Sequence, residues 1–211
     1  MIRRHASEDR ISDWEPRLKV PKTTFMLPVA PDHRSLDELG REAAVKIYGS
    51  HAPEEQLKTF ARIIHDGTKD CRQRGAKMGG LIFFPDFNRL PPIANVDVFG
   101  YHSKDPDKPS SLEFYRELYG TPTKRSVGPI EVTDLQLPAG PAIRFHRRYW
   151  PKDSWDPIAH QWEDVTYAVR PPAIDSAVVM KVSWVEFKFS EALIKSADAI
   201  AQTLEIKLLD A

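Results

Sequence analysis

The apolar positions of this chain change period twice. Between Ser35 and Gly75 they recur every three to four residues, over 80–187 they alternate or run continuously, and after Ser190 the helical spacing returns. Ser35 opens the first helix. With Glu38 it forms a capping box, in which each side chain accepts from a backbone N–H that the helix start leaves unpaired. Leu36, Leu39, Ala43 and Ile47 share one face, and Gly49 is placed to stop the helix. Pro53 starts a second helix with Glu54 and Glu55 at its positive end; Leu57, Phe60, Ala61, Ile64, Thr68 and Cys71 form its stripe up to Gly75.

Past Gly75 the pattern predicts strands at 80–84, 93–101, 130–137, 142–149, 164–170 and 177–187. Pro138-Ala-Gly-Pro141 predicts a tight turn, and Pro171-Pro172 with Asp175 another. Between the second and third strands, Ser110 or Ser111 caps a short helix running to Tyr119, with Leu112, Tyr115 and Leu118 inward. Ser190 caps the last helix, whose stripe is Leu193, Ala197, Ile200 and Leu204. Residues 1–34 hold Pro16, Pro21, Pro28 and Pro31 and only one short extended stretch, at 24–27. They are expected to form a proline-rich N-terminal arm, packed on the body or awaiting a partner, ahead of a single domain over 35–211. The fold class expected is α+β, a mostly antiparallel sheet of about six strands covered by helices.

Charge narrows the functions that such a fold can serve. The 211 residues hold 30 Lys+Arg against 30 Asp+Glu. This balance argues against a broad cationic field for nucleic acid or anionic lipid. The longest apolar stretches, 79–85 and 177–180, fall far short of the ~20 residues of a membrane span. Cys71 is the single cysteine, and the basic first residues lack the apolar run of an export signal, so a cytoplasmic location is expected.

Catalytic and metal motifs are missing from the sequence. The histidines stand at 5, 33, 51, 65, 102, 146 and 160, never at ligand spacing, so neither metal nor cofactor is expected. No phosphate loop and no nucleophile elbow occur. Cys71 lies on an apolar stripe, roughly opposite His65, and reads as a buried thiol. Asp97 has two readings. If Ile93, Asn95, Asp97 and Phe99 face the core it is a functional flag; if Ala94, Val96 and Val98 make the core face, as expected here, it is solvated.

The most informative segment is Ile143-Arg-Phe-His-Arg-Arg-Tyr-Trp150. Alternation puts Ile143, Phe145, Arg147 and Tyr149 on one face and Arg144, His146, Arg148 and Trp150 on the other. Trp155 and Trp162 follow on a loop-like connection, as a lid over the sheet edge or as contacts to a partner. Arg144, His146, Arg148, Trp150, Trp155 and Trp162 are therefore the candidate binding residues. Arginine interleaved with aromatic rings suits stacked bases, but also protein interfaces, and nearby Asp153, Asp156, Glu163 and Asp164 would cancel a phosphate-binding field.

Residues 137–149, Leu-Pro-Ala-Gly-Pro-Ala-Ile-Arg-Phe-His-Arg-Arg-Tyr, and the strand-to-helix run 182–206 resemble a set of uncharacterised actinobacterial proteins. There, a Leu-Pro-x-Gly-Pro turn leads into a basic strand, and a late strand enters a helix with an Asp-Ala-Ile-Ala core, here 198–201. The order of elements is similar to the PsbP/Mog1-like fold, an α/β/α sandwich. That resemblance implies a binding or assembly protein.

The reading that follows is a non-catalytic cytosolic protein that binds another protein, as an adaptor, chaperone or inhibitor-type partner. The alternative is a small-molecule binder or enzyme with a pocket between sheet and helices, using His146, Asp97 or Tyr149. Nucleic-acid binding ranks third.

Overall fold

The computed structural model describes residues 14–30, 33–84, 91–101, 111–151 and 160–209. In chain order the elements are β1 (Trp14–Arg17), β2 (Thr24–Met26), α1 (Leu36–Tyr48), α2 (Glu54–Gln73), β3 (Met78–Ile82), β4 (Ala94–Tyr101), α3 (Leu112–Gly120), β5 (Ser126–Leu137), β6 (Gly140–Tyr149), β7 (Trp162–Val169), β8 (Ala177–Trp184), α4 (Ser190–Ala201) and β9 (Glu205–Leu208). Seven strands form one sheet in the order β2-β3-β4-β8-β7-β6-β5, and every neighbouring pair is antiparallel. β1 and β9 pair as a separate ribbon. The fold is α+β, as the change of period predicts, with helices packed on the sheet.

Both faces of the sheet are covered. On the first, Val96, Val98, Val165, Tyr167, Val178, Met180 and Val182 pack with Leu193, Ala197 and Ile200 of α4 and with Trp14 of the ribbon. On the second, Leu81, Phe83 and Phe99 meet Leu57, Phe60 and Ile64 of α2, and farther along Ile143, Phe145, Ala168 and Val179 meet Tyr115 of α3. The capping box at Ser35 is present: the Glu38 N–H donates to Ser35 Oγ over 3.2 Å, and the Ser35 N–H donates to Glu38 Oε2 over 2.7 Å. Gly49 follows α1 at φ 82°, where a side chain would be strained.

The sheet has more strands than about six. The extra strand is β2, drawn from the segment expected to be an arm, where Thr24–Met26 forms the sheet edge beside β3. The last helix is shorter than its stripe suggests: it ends at Ala201, and residues 205–208 turn to pair with β1. Ser190 is the first residue of α4 rather than its cap, because its hydroxyl donates to Glu163. Asp97 is buried, against the expectation that it is solvated. With helices on both sides, Asn95, Asp97 and Phe99 face a core as surely as Ala94, Val96 and Val98 do.

Candidate functional site

The β6–β7 ladder carries charge on both faces. Glu163 and Asp164 are consecutive in β7, so their side chains project into opposite layers, and each gathers cations from β6.

Three of the six residues singled out in the sequence, Arg144, His146 and Arg148, lie on the α4 side of β6. The Arg144 Nε donates to Asp198 of α4 over 2.8 Å, and the Tyr167 hydroxyl donates to the same carboxylate. The His146 ring lies between two carboxylates, Nε2 2.7 Å from Glu163 and Nδ1 3.2 Å from Glu131. Arg148 donates to Glu163 over 3.2 Å, while its guanidinium carbon lies 5.1 Å from the centre of the Phe187 ring. Trp150, just past β6, donates its backbone N–H to Arg125 and leaves 40% of its surface exposed. Trp162 stands in β7 opposite Tyr149, on a strand and not on the connection. Trp155 lies outside the described residues.

Glu163 is fully buried and is the hub of that face. Besides His146 and Arg148 it accepts from the Trp184 indole N–H over 3.0 Å and from the Ser190 hydroxyl. Burial alone would push its carboxyl up, but the hydrogen bonds from Ser190, His146 and Arg148 outweigh burial and hold it below the ordinary carboxylate value. It is therefore ionised, and the arginines of the stripe are neutralised where they stand.

Asp164 is the hub of the other face. Arg147 grips it with Nε at 3.0 Å and Nη2 at 3.1 Å, Lys181 of β8 lies 3.2 Å away, and the Thr166 hydroxyl donates over 3.1 Å. Lys181 also donates to the Tyr149 hydroxyl over 2.9 Å, and the Arg147 guanidinium lies between the rings of Tyr119 and Tyr149. Burial pushes Asp164 up, but the positive charges of Lys181 and Arg147 win and lower it. For Lys181 burial pushes down, and Asp164 more than compensates, so every member of the hub stays charged.

Beside this hub, Asp97 accepts from Arg74 Nη1 over 3.0 Å and from the Cys71 thiol over 3.3 Å. Burial, reinforced by the Asp97 charge, pushes the Cys71 thiol up to about 12, which keeps it protonated and unreactive at neutral pH. Among the described residues no group of three His, Cys, Asp or Glu side chains is placed to hold a metal ion. The buried carboxylates Glu163 and Asp164 are committed, ionised acceptors.

Sequence reasoning missed Lys181, and it read Asp164 only as a charge that cancels its neighbours. A signal for Lys181 was available: it is the single charged residue in the strand Ala177-Val-Val-Met-Lys-Val-Ser-Trp184. A lone cation inside an apolar strand implies a buried counter-charge on a neighbouring strand.

Comparison with known proteins gives little to set beside this geometry. No known family pattern matches the chain, and no curated protein matches it. Among solved structures it is similar to LpqN of Mycobacterium tuberculosis, described as involved in cell envelope biogenesis, with 14% identity, coverage of 96% of this chain and 87% of that one, and a TM-score of 0.49. A Pseudomonas aeruginosa protein of unknown function, PA94, described as a putative regulator, matches with 8% identity over 59% of this chain and 72% of its own, at a TM-score of 0.35. Likenesses this distant assign no function. No helix among the described residues is long and apolar enough to cross a membrane.

Proposed function

We propose that this chain is a non-catalytic, cytoplasmic binding protein of PsbP/Mog1-like architecture that docks a protein partner on the surface around Arg148 and Trp150. One observation carries the reading. Arg148 is fixed from below by the buried Glu163 and stacks on the exposed Phe187, yet keeps 46% of its side chain exposed, and the exposed Trp150 follows two residues later. An arginine held by a carboxylate and an aromatic ring loses little freedom on binding, and arginine and aromatic side chains dominate the energetics of protein interfaces. Arg144 and His146 support this surface from within the ladder, Trp162 borders it from the other face of the sheet, opposite Tyr149, and Trp155 belongs to the same proposal.

The arginines of the stripe favour a protein over a polyanion, because each already has a carboxylate. The test is capture of a stoichiometric partner by the tagged chain, repeated with Arg148→Ala and Trp150→Ala combined. Glu163 retains His146, Trp184 and Ser190 in that variant, so an unchanged circular dichroism spectrum and melting point are expected. Loss of the partner from a folded variant supports the reading. A complex that survives both substitutions overturns it.

A further inference from the structure

The Asp164 hub is unbalanced. One buried carboxylate faces two cations, Arg147 and Lys181, while the next carboxylate on the same face, Asp97, accepts from the Cys71 thiol and from Arg74, which it shares with the exposed Asp70. Asp97 and Lys181 are opposite one another in the β4–β8 register, yet no ion pair joins them.

Exposure divides by sign. Asp164 is sealed, whereas Arg147 and Lys181 expose 20% and 24% of their side chains. Their hydrogen bonds are also incomplete. Lys181 directs two of its three ammonium protons to Asp164 and Tyr149, and Arg147 uses Nε and Nη2 on Asp164. Among the described residues the third lysine proton and Nη1 of Arg147 have no acceptor. Aromatic rings flank these donors: Tyr119 and Tyr149 stand 4.8 Å and 5.2 Å from the Arg147 guanidinium carbon, and Trp162 lies opposite Tyr149 across the ladder.

We propose that this corner of the second face binds a small organic oxyanion, with the carboxylate or phosphate group on Lys181 Nζ and Arg147 Nη1 and a planar apolar body against Tyr149. The partly exposed cations, the unfilled donors and the rings then have one explanation. The site lies on the sheet face opposite Arg148, so it stands or falls separately from the partner surface.

Isothermal titration of the full chain with inorganic phosphate and, separately, with benzoate tests it, at constant ionic strength set by sodium chloride. Saturable binding of one or both probes is expected, weakened at least about tenfold by Lys181→Met. That variant leaves Arg147 and Asp164 as a balanced pair, so it should fold. If it does not, Arg147→Lys preserves the charge against Asp164 but lacks Nη1, and should weaken binding in the same direction. Phosphate alone binding would point to a phosphorylated ligand, and benzoate binding more tightly to an aromatic carboxylate. If neither probe saturates, or if the folded variants bind as well as the parent chain, the proposal is wrong.

Discussion

Glu163 and Asp164 show what a single residue contributes when both layers of a sandwich are covered. Asp164 is fully buried against Arg147 and Lys181, so Asp164→Asn strands two cations in the core and is expected to cost about 3–5 kcal/mol, read by urea denaturation. Acid should do the same work gradually. Both carboxyls are held below their ordinary values in the folded chain, so their contribution is complete above the unfolded-state value of about 4 and is lost as pH falls through the lower folded value. Denaturation between neutral pH and about pH 2 should therefore show a steep acid limb that Asp164→Asn makes shallower; parallel curves would mean that Asp164 does not carry it. The sequence made these residues only half legible. Alternation assigned Arg147 and Tyr149 to one face and Arg144, His146 and Arg148 to the other, as the register has them. It could not say whether the face of Asp97 was solvent, because a strand covered on both sides gives no polar face to mark the outside.

Long elements were easier to read than short ones. α1 follows from a capping box and α2 from a proline start with acidic residues behind it, each with a stripe of several turns and a glycine stop, and the β5–β6 hairpin from Pro138-Ala-Gly-Pro141, where Leu137 pairs with Gly140. β1, β2 and β9 have only three or four residues each, too few for a period to show, and they are held by what they pack against. Trp14 makes the case: its ring is buried against the main core, its indole N–H donates to Ser176 over 3.1 Å, and the Lys77 ammonium sits 4.5 Å from its centre. Close approach between elements is equally invisible in a stripe. Gly40 lies where α1 crosses α2, and a Cβ there would come 2.5 Å from the Ala61 carbonyl oxygen, part of a helix backbone that cannot step aside. Gly40→Ala should gain helix propensity yet lose about 1–3 kcal/mol to overpacking, seen as a lower melting temperature. A raised melting point would show that the two helices separate freely.

At the scale of the whole molecule, neutrality is built locally. Arg144 with Asp198, Arg147 with Asp164, Arg148 with Glu163 and Arg74 with Asp97 each close a pair across neighbouring elements, so the equal counts of acid and base reflect partners in contact and not a uniform surface. Such pairing has a consequence for what the molecule can attract. A polyanion binds by releasing counterions from phosphates that meet available cations, and the affinity then falls steeply with salt. Arginines whose charge is already met by a carboxylate offer little of that driving force, since a phosphate would have to displace Glu163 or Asp198 from them. A labelled single-stranded oligonucleotide titrated in an anisotropy assay should show no saturable binding near about 0.15 M salt, and only a shallow salt dependence below it. Tight binding with a steep salt slope would mean that the ladder opens to release its cations. The protein-partner reading would then give way to the nucleic-acid one, because an arginine that leaves Glu163 is no longer the rigid, stacked anchor on which docking at Phe187 and Trp150 depends.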